Sequence, residues 1–228
     1  MVADIRFPKL KFCGLTRADD VVAAIDCGAD AIGLNFYPVS PRYVQPTVAR
    51  KWSSLVAHRA TLVGVFVNAS PSEVAEIVAE CPLDCVQLHG DESPDWMNEA
   101  ACFRALQSIS FIKAVAWRGL EEDRMNVERW TNALHPRLLG LLVDSYDPVQ
   151  RGGTGRTARW DLLFPRPIEF RRVPILLAGG LKSENISQAI LTAQPDGIDI
   201  ASGIESAPGV KDHSKMQAIS AIALPLLG

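Results

Sequence analysis

No apolar run in this 228-residue sequence approaches the roughly 18 residues of a membrane span, so a transmembrane helix is excluded and no membrane partner is expected. There is no excess of positive charge. The net charge of −3, without a basic stripe, gives nothing for a nucleic acid to bind, and none is expected as a partner. Paired cysteines are also lacking: Cys13, Cys27, Cys81, Cys85 and Cys102 are odd in number, and no His or further Cys completes the close pair Cys81 and Cys85. Reduced thiols and no metal are therefore expected. Met1-Val2-Ala3-Asp4-Ile5-Arg6 does not begin a charged-then-apolar signal, which points to a cytoplasmic protein. No linker, low-complexity tract or composition shift divides the chain, which is read as one domain over residues 1–228.

What the sequence does contain is a soluble, globular composition, 48% hydrophobic and 21% charged, arranged as a repeat. Short β-branched runs are each followed by turn residues and then by helical periodicity. Strands are predicted at Leu10 to Cys13, Ala31 to Phe36, Thr61 to Val67, Cys85 to His89, Phe111 to Ala116, Gly140 to Asp144, Ile175 to Ala178 and Gly197 to Ala201. They recur about every 28 residues, a period of strand-plus-helix units. Helix starts are marked by Thr16-Arg17-Ala18-Asp19, Ser70-Pro71-Ser72-Glu73, Ser93-Pro94-Asp95 and Ser183-Glu184-Asn185, and Gly28 ends the first helix. Strict alternation means a parallel sheet covered by helices, and eight units favour closure into a single-domain α/β fold, the (β/α)8 TIM barrel.

Such barrels assemble their active sites at the carboxyl ends of the strands. The first strand delivers Cys13 there. After the second, Arg42 sits between a proline and an aromatic in Ser40-Pro41-Arg42-Tyr43-Val44, where a guanidinium fork suits a planar carboxylate. The fourth brings Gln87, His89 and Gly90, and the sixth ends in Asp144, a carboxylate after an apolar run that needs a role or a partner. Three glycine-bearing segments follow, around Gly155, Gly179-Gly180 and Ser202-Gly203. Together they suit a backbone-amide cradle for phosphate. Lys11 shares strand parity with Cys13 and is predicted to pair inside the barrel with Asp199 on the adjoining eighth strand.

Lys11-Phe12-Cys13-Gly14-Leu15-Thr16-Arg17, Val86-Gln87-Leu88-His89-Gly90, Val143-Asp144-Ser145, Gly152-Gly153-Thr154-Gly155, Leu177-Ala178-Gly179-Gly180-Leu181 and the stretch from Ser202 through Glu205 and Pro208 to Asp212 follow one another in the order of a known family. With Ser40 to Val44 they cover nearly the whole chain. The sequence resembles the phosphoribosylanthranilate isomerases. The resemblance implies an aldose–ketose isomerase of tryptophan biosynthesis, an amino-acid biosynthetic enzyme. It would convert N-(5-phosphoribosyl)anthranilate into 1-(2-carboxyphenylamino)-1-deoxyribulose 5-phosphate by an Amadori rearrangement, without a cofactor.

On the same resemblance Cys13 is the general base and Asp144 the general acid. Arg42, Gln87, His89, Gly155, Gly179, Gly180, Ser202 and Gly203 bind the phosphorylated small-molecule substrate, and the protein is a monomer or homodimer. Both catalytic roles require shifted ionisation, since an ordinary Asp titrates near ~3.9 and an ordinary Cys near ~8.5. The chain departs from the family pattern at Arg156-Thr157-Ala158-Arg159-Trp160 and at Asn35. Two other readings stay open: an isomerase of the histidine-pathway aminoaldose, alone or as a dual enzyme, and a non-catalytic phosphate-binding barrel.

Overall fold

Alternate residues of a strand face opposite sides of a sheet, so parity decides what each strand offers the barrel interior. The structure, a computed structural model, describes residues 5–133, 135–144 and 159–228. Its strands are β1 (Leu10–Cys13), β2 (Ala31–Asn35), β3 (Thr61–Phe66), β4 (Cys85–Leu88), β5 (Ser110–Ala116), β6 (Leu138–Asp144), β7 (Ile175–Ala178) and β8 (Gly197–Ile200). They close in chain order into a parallel barrel, with β8 pairing back onto β1. One parity packs outward against the helices, as Leu10, Phe12, Val86, Leu88, Leu141 and Val143 do. The other turns inward, and Ala31, Val63, Cys85, Ile112, Leu142 and Leu176 fill the interior.

Polar residues break that interior only on the inward parity and mostly at the carboxyl end. Lys11 and Cys13 of β1, Asn35 of β2, Gln87 of β4, Asp144 of β6 and Asp199 of β8 share it. The register places them at one mouth.

Helices α1 (Ala18–Asp26), α4 (Pro71–Glu80), α5 (Asp95–Ala100), α6 (Glu121–Ala133), α7 (Ile186–Ala193) and α8 (His213–Leu227) cover the barrel, with two short helices, α2 (Pro46–Ala49) and α3 (Ser53–Val56), after β2. The start of α4 is a full capping box: Ser70 Oγ accepts from the Glu73 amide and the Glu73 carboxylate accepts from the Ser70 amide. The start of α1 differs from expectation. Arg17 is its N-cap, without a side-chain cap, while Thr16 Oγ1 donates instead to the Gly209 carbonyl, tying the first loop to the last.

Between β6 and β7 the described residues hold only 3₁₀ turns, Trp160–Leu163 and Ile168–Phe170, in place of an expected helix. Pro165, Pro167 and Pro174 account for this, since each lacks the amide a helix interior needs. A small antiparallel ribbon follows β8, formed by β9 (Glu205–Ala207) and β10 (Val210–Lys211).

Candidate active site

A cavity of about 430 Å³ opens at the carboxyl end of the barrel, and Cys13, Arg42, Gln87, His89, Asp144, Gly179, Gly180 and Ser202 all line it. These come from six strand ends. Gly203, the next residue after Ser202, does not line it, and Gly155 falls outside the described residues. Around the ring the order is Asp144 at the end of β6, the glycine turn after β7, the Ser202 turn after β8, and Cys13 at the end of β1. Acid and thiol thus flank the glycine turns.

Cys13 is buried, and its sulfur sits beside the Lys11 ammonium. Burial pushes the thiol up and outweighs the pull of Lys11 and, more weakly, Lys211, while Asp199 adds to the rise, so the net direction is upward, opposite to the lowering expected from neighbouring positive charge. Lys11 itself is wholly buried and held above the ordinary ammonium range, because its 2.7 Å contact with Asp199 and the nearby thiol outweigh the cost of burial. The interior ion pair expected from strand parity is therefore present. Removing one partner of such a pair strands a buried charge, at a cost of about 3–5 kcal/mol.

Arg42 arrives in the cavity already engaged. Its Nε donates to Glu205 Oε1 at 2.7 Å and its Nη2 to Glu205 Oε2 at 2.6 Å, a bidentate pair that raises the guanidinium's affinity for its proton. That edge is spent. A substrate carboxylate would have to be met from the remaining N–H groups. Glu205 in turn accepts from Lys211 Nζ at 2.9 Å, and Lys211 also donates to the carbonyls of Cys13 at 2.7 Å and Ala201 at 2.9 Å. The β9–β10 ribbon thus clamps the ends of β1 and β8 and aims Arg42. The sequence showed Glu205 and Lys211 as parts of a motif, without this role.

His89 Nδ1 meets Gln87 Nε2 at 2.6 Å, so with the amide donating, the ring carries its hydrogen on Nε2. Burial pushes this imidazole down, which keeps it neutral at neutral pH. Gln87 Oε1 has no partner among the described residues, in a side chain that lines the cavity. The loop carrying His89 and Gly90 is fixed from outside the barrel: buried Lys113 donates to Glu92 at 2.7 Å and to the Gly90 carbonyl, while Glu92 accepts from the amides of Asn68 and Gly90.

Asn35 points into the mouth, and its Oδ1 accepts from the Tyr37 amide at 2.8 Å, shaping the loop that leads to Arg42. Arg159 pairs with Asp161 on the surface, away from the cavity lining.

The glycine turns after β7 and β8 touch through their backbones. A Cβ on Gly203 would lie 1.8 Å from the Leu181 carbonyl oxygen, so the loops after β7 and β8 can be this close only with glycine there. Gly203→Ala is expected to lower stability by about 1–3 kcal/mol, the usual range for overpacking. A thermal melt of the variant beside the wild type checks this.

Fold and site define a (β/α)8-barrel enzyme with its chemistry at the carboxyl-end mouth. Residues 10–221 match the family model described as N-(5'phosphoribosyl)anthranilate (PRA) isomerase. The chain belongs to the N-(5'-phosphoribosyl)anthranilate isomerase family, whose members are aldose–ketose isomerases. It is 41% identical over 208 residues to the enzyme of that name from Magnetococcus marinus, covering 91% of each chain. It also resembles the crystal structure of phosphoribosyl anthranilate isomerase from Thermotoga maritima, with a TM-score of 0.82 at 33% identity over 96% of this chain and 100% of that one. A further structure of such an isomerase, in complex with reduced 1-(o-carboxyphenylamino)-1-deoxyribulose 5-phosphate, matches with a TM-score of 0.79 at 32% identity, again over 96% and 100%.

Proposed function

We propose that this chain catalyses the Amadori rearrangement of N-(5'-phosphoribosyl)anthranilate in tryptophan biosynthesis, with Asp144 as general acid and Cys13 as general base. The observation that carries the reading is the order of strand ends round the mouth. Carboxyl, two glycine-bearing turns and thiol occupy four successive positions on β6, β7, β8 and β1, all facing one cavity. A phosphate seated on the amides of Gly179, Gly180, Ser202 and Gly203 lays the ribose across the barrel axis with the acid on one side and the base on the other.

Asp144 then protonates the ring oxygen, the C1′–O bond breaks, and the anilino nitrogen's lone pair forms the C1′=N bond of a Schiff base. Cys13, as thiolate, takes the proton from C2′. The C2′–H electron pair becomes the C1′=C2′ bond of an enolamine while the C1′=N pair returns to nitrogen, and the enolamine tautomerises to the ketone. No electron leaves the substrate, so no redox cofactor is called for. The neutral His89 Nε2–H offers a donor to the ribose hydroxyls, with Gln87 holding the ring through its amide.

Arg42 holds the anthranilate carboxylate with the N–H groups that Glu205 leaves over. Glu205 is then a positioning residue. Glu205→Gln is expected to raise KM about tenfold with kcat within a small factor, the signature of binding lost equally from ground and transition states. Steady-state kinetics separate the two constants, and an unchanged KM removes the assignment. The reaction itself is tested by chromatographic identification of 1-(2-carboxyphenylamino)-1-deoxyribulose 5-phosphate after incubation with substrate generated in place. Absence of that product overturns the reading.

A further inference from the structure

We propose that Lys11 is the counter-ion of the Cys13 sulfur, a positioning residue for the base, and that Gly33 is the vacancy in which the two groups meet. The inference rests on the reading of Cys13 as base.

Lys11 and Cys13 stand two apart on β1 and so project into the barrel on the same side. On one flank Lys11 pairs in register with Asp199 of β8, and its ammonium reaches that carboxylate at 2.7 Å. An ammonium has three donors, so one contact leaves two to place, and Lys11 has no exposure to water. On the other flank Cys13 pairs in register with Gly33 of β2. A Cβ built on Gly33 would stand 2.7 Å from Cys13 Sγ and 3.0 Å from Lys11 Nζ. Sulfur and ammonium border the same empty point, which makes them neighbours in the barrel interior. A methyl group there would push both away.

The charges facing the thiol come from every neighbouring element. Lys11 on its own strand, Lys211 on β10 and Arg42 on the loop after β2 favour the thiolate; Asp199 on β8 opposes it. Glu205, which binds both Arg42 and Lys211, tempers the two outer cations. Lys11 is the largest favourable influence and lies deepest. Asp199 therefore has two opposed effects. It keeps Lys11 charged and placed, and its own negative charge holds the thiol back.

Those opposed effects give a test that a merely structural ion pair would not pass. The alkylation rate of Cys13 by iodoacetamide would be followed against pH on the intact protein, reading the Cys13 peptide by mass spectrometry so that the other four cysteines do not interfere. Lys11→Met is expected to slow alkylation at neutral pH about tenfold, as a one-unit rise in the thiol's titration would, and Asp199→Asn to speed it about threefold, because the carboxylate acts on the thiol less strongly than Lys11. The rising limb of kcat/KM against pH should move the same way in each variant.

If either single variant fails to fold, Lys11→Met combined with Asp199→Asn leaves no lone buried charge and should still slow alkylation, by about threefold rather than tenfold, because Lys11 acts on the thiol more strongly than Asp199 does. Profiles that overlay the wild type, or single variants that shift in the same direction, overturn the proposal. The two readings fail separately. An unshifted alkylation profile beside an inactive Cys13→Ala removes only the counter-ion; a shifted profile beside a fully active Cys13→Ala removes only the base.

Discussion

Cys13→Ala is expected to lower turnover by about two to four decades while leaving KM within a small factor, the size of effect that a lost general base produces. The side chain removed is small and sits at the wall of the cavity, so little packing is lost with it. The groups assigned to substrate binding stay in place: Arg42 is held by Glu205, and the glycine turns after β7 and β8 are held by their own backbone contact. The Cys13 carbonyl, which accepts from Lys211, also survives the change. Cys13→Ser is the sharper control, because it keeps a polar atom at the site but exchanges a thiol for a hydroxyl, which hardly ionises at neutral pH. A comparable loss in both variants, with an unchanged melting temperature, assigns the defect to proton transfer. Turnover near that of the wild type removes Cys13 from the mechanism.

Asp144→Asn should cost as much, again about two to four decades in kcat with KM nearly held. The amide matches the carboxyl in shape but cannot deliver the proton that lets the ribose ring open. Asp144 is the last residue of β6, in register with Ala116 of β5 and Ala178 of β7, so an isosteric change there should not disturb the barrel. Asp144→Glu keeps the acid and moves it outward by one methylene, and a partial recovery of turnover above Asp144→Asn would show that the proton rather than the shape matters. Full activity in Asp144→Asn assigns ring opening to another group.

The strands were legible because each carries its own local signal: an apolar, β-branched run bounded by turn residues. Every expected strand is present, with ends shifted by no more than two residues, as at Leu138 for Gly140 and Asn35 for Phe36. The Lys11–Asp199 pair was legible for a different reason. In a closed barrel the first and last strands must adjoin, so equal parity on both brings the side chains together.

The clamp on Arg42 had no such signal. Arg42 and Glu205 are 163 residues apart, and Lys211 reaches a carbonyl 198 residues away. Contacts made by loop side chains depend on how two loops fold against each other, which no periodicity encodes. Thr16 opens the segment that marks the start of α1 yet does not cap the helix, on the same account. Its hydroxyl faces a choice between a local amide and the Gly209 carbonyl, and the distant partner wins because the β9–β10 ribbon packs beside it. Among the described residues of the sixth unit the alternation fails locally instead, with short turns where three prolines stand between Phe164 and Ile175.

The most direct test of the account is the loss of anthranilate-type fluorescence when the purified protein meets phosphoribosylanthranilate generated in place, with Cys13→Ala run beside it. The account predicts rapid loss with the wild type and a rate in the variant close to the substrate's own decay. A wild-type rate no faster than that decay would contradict it.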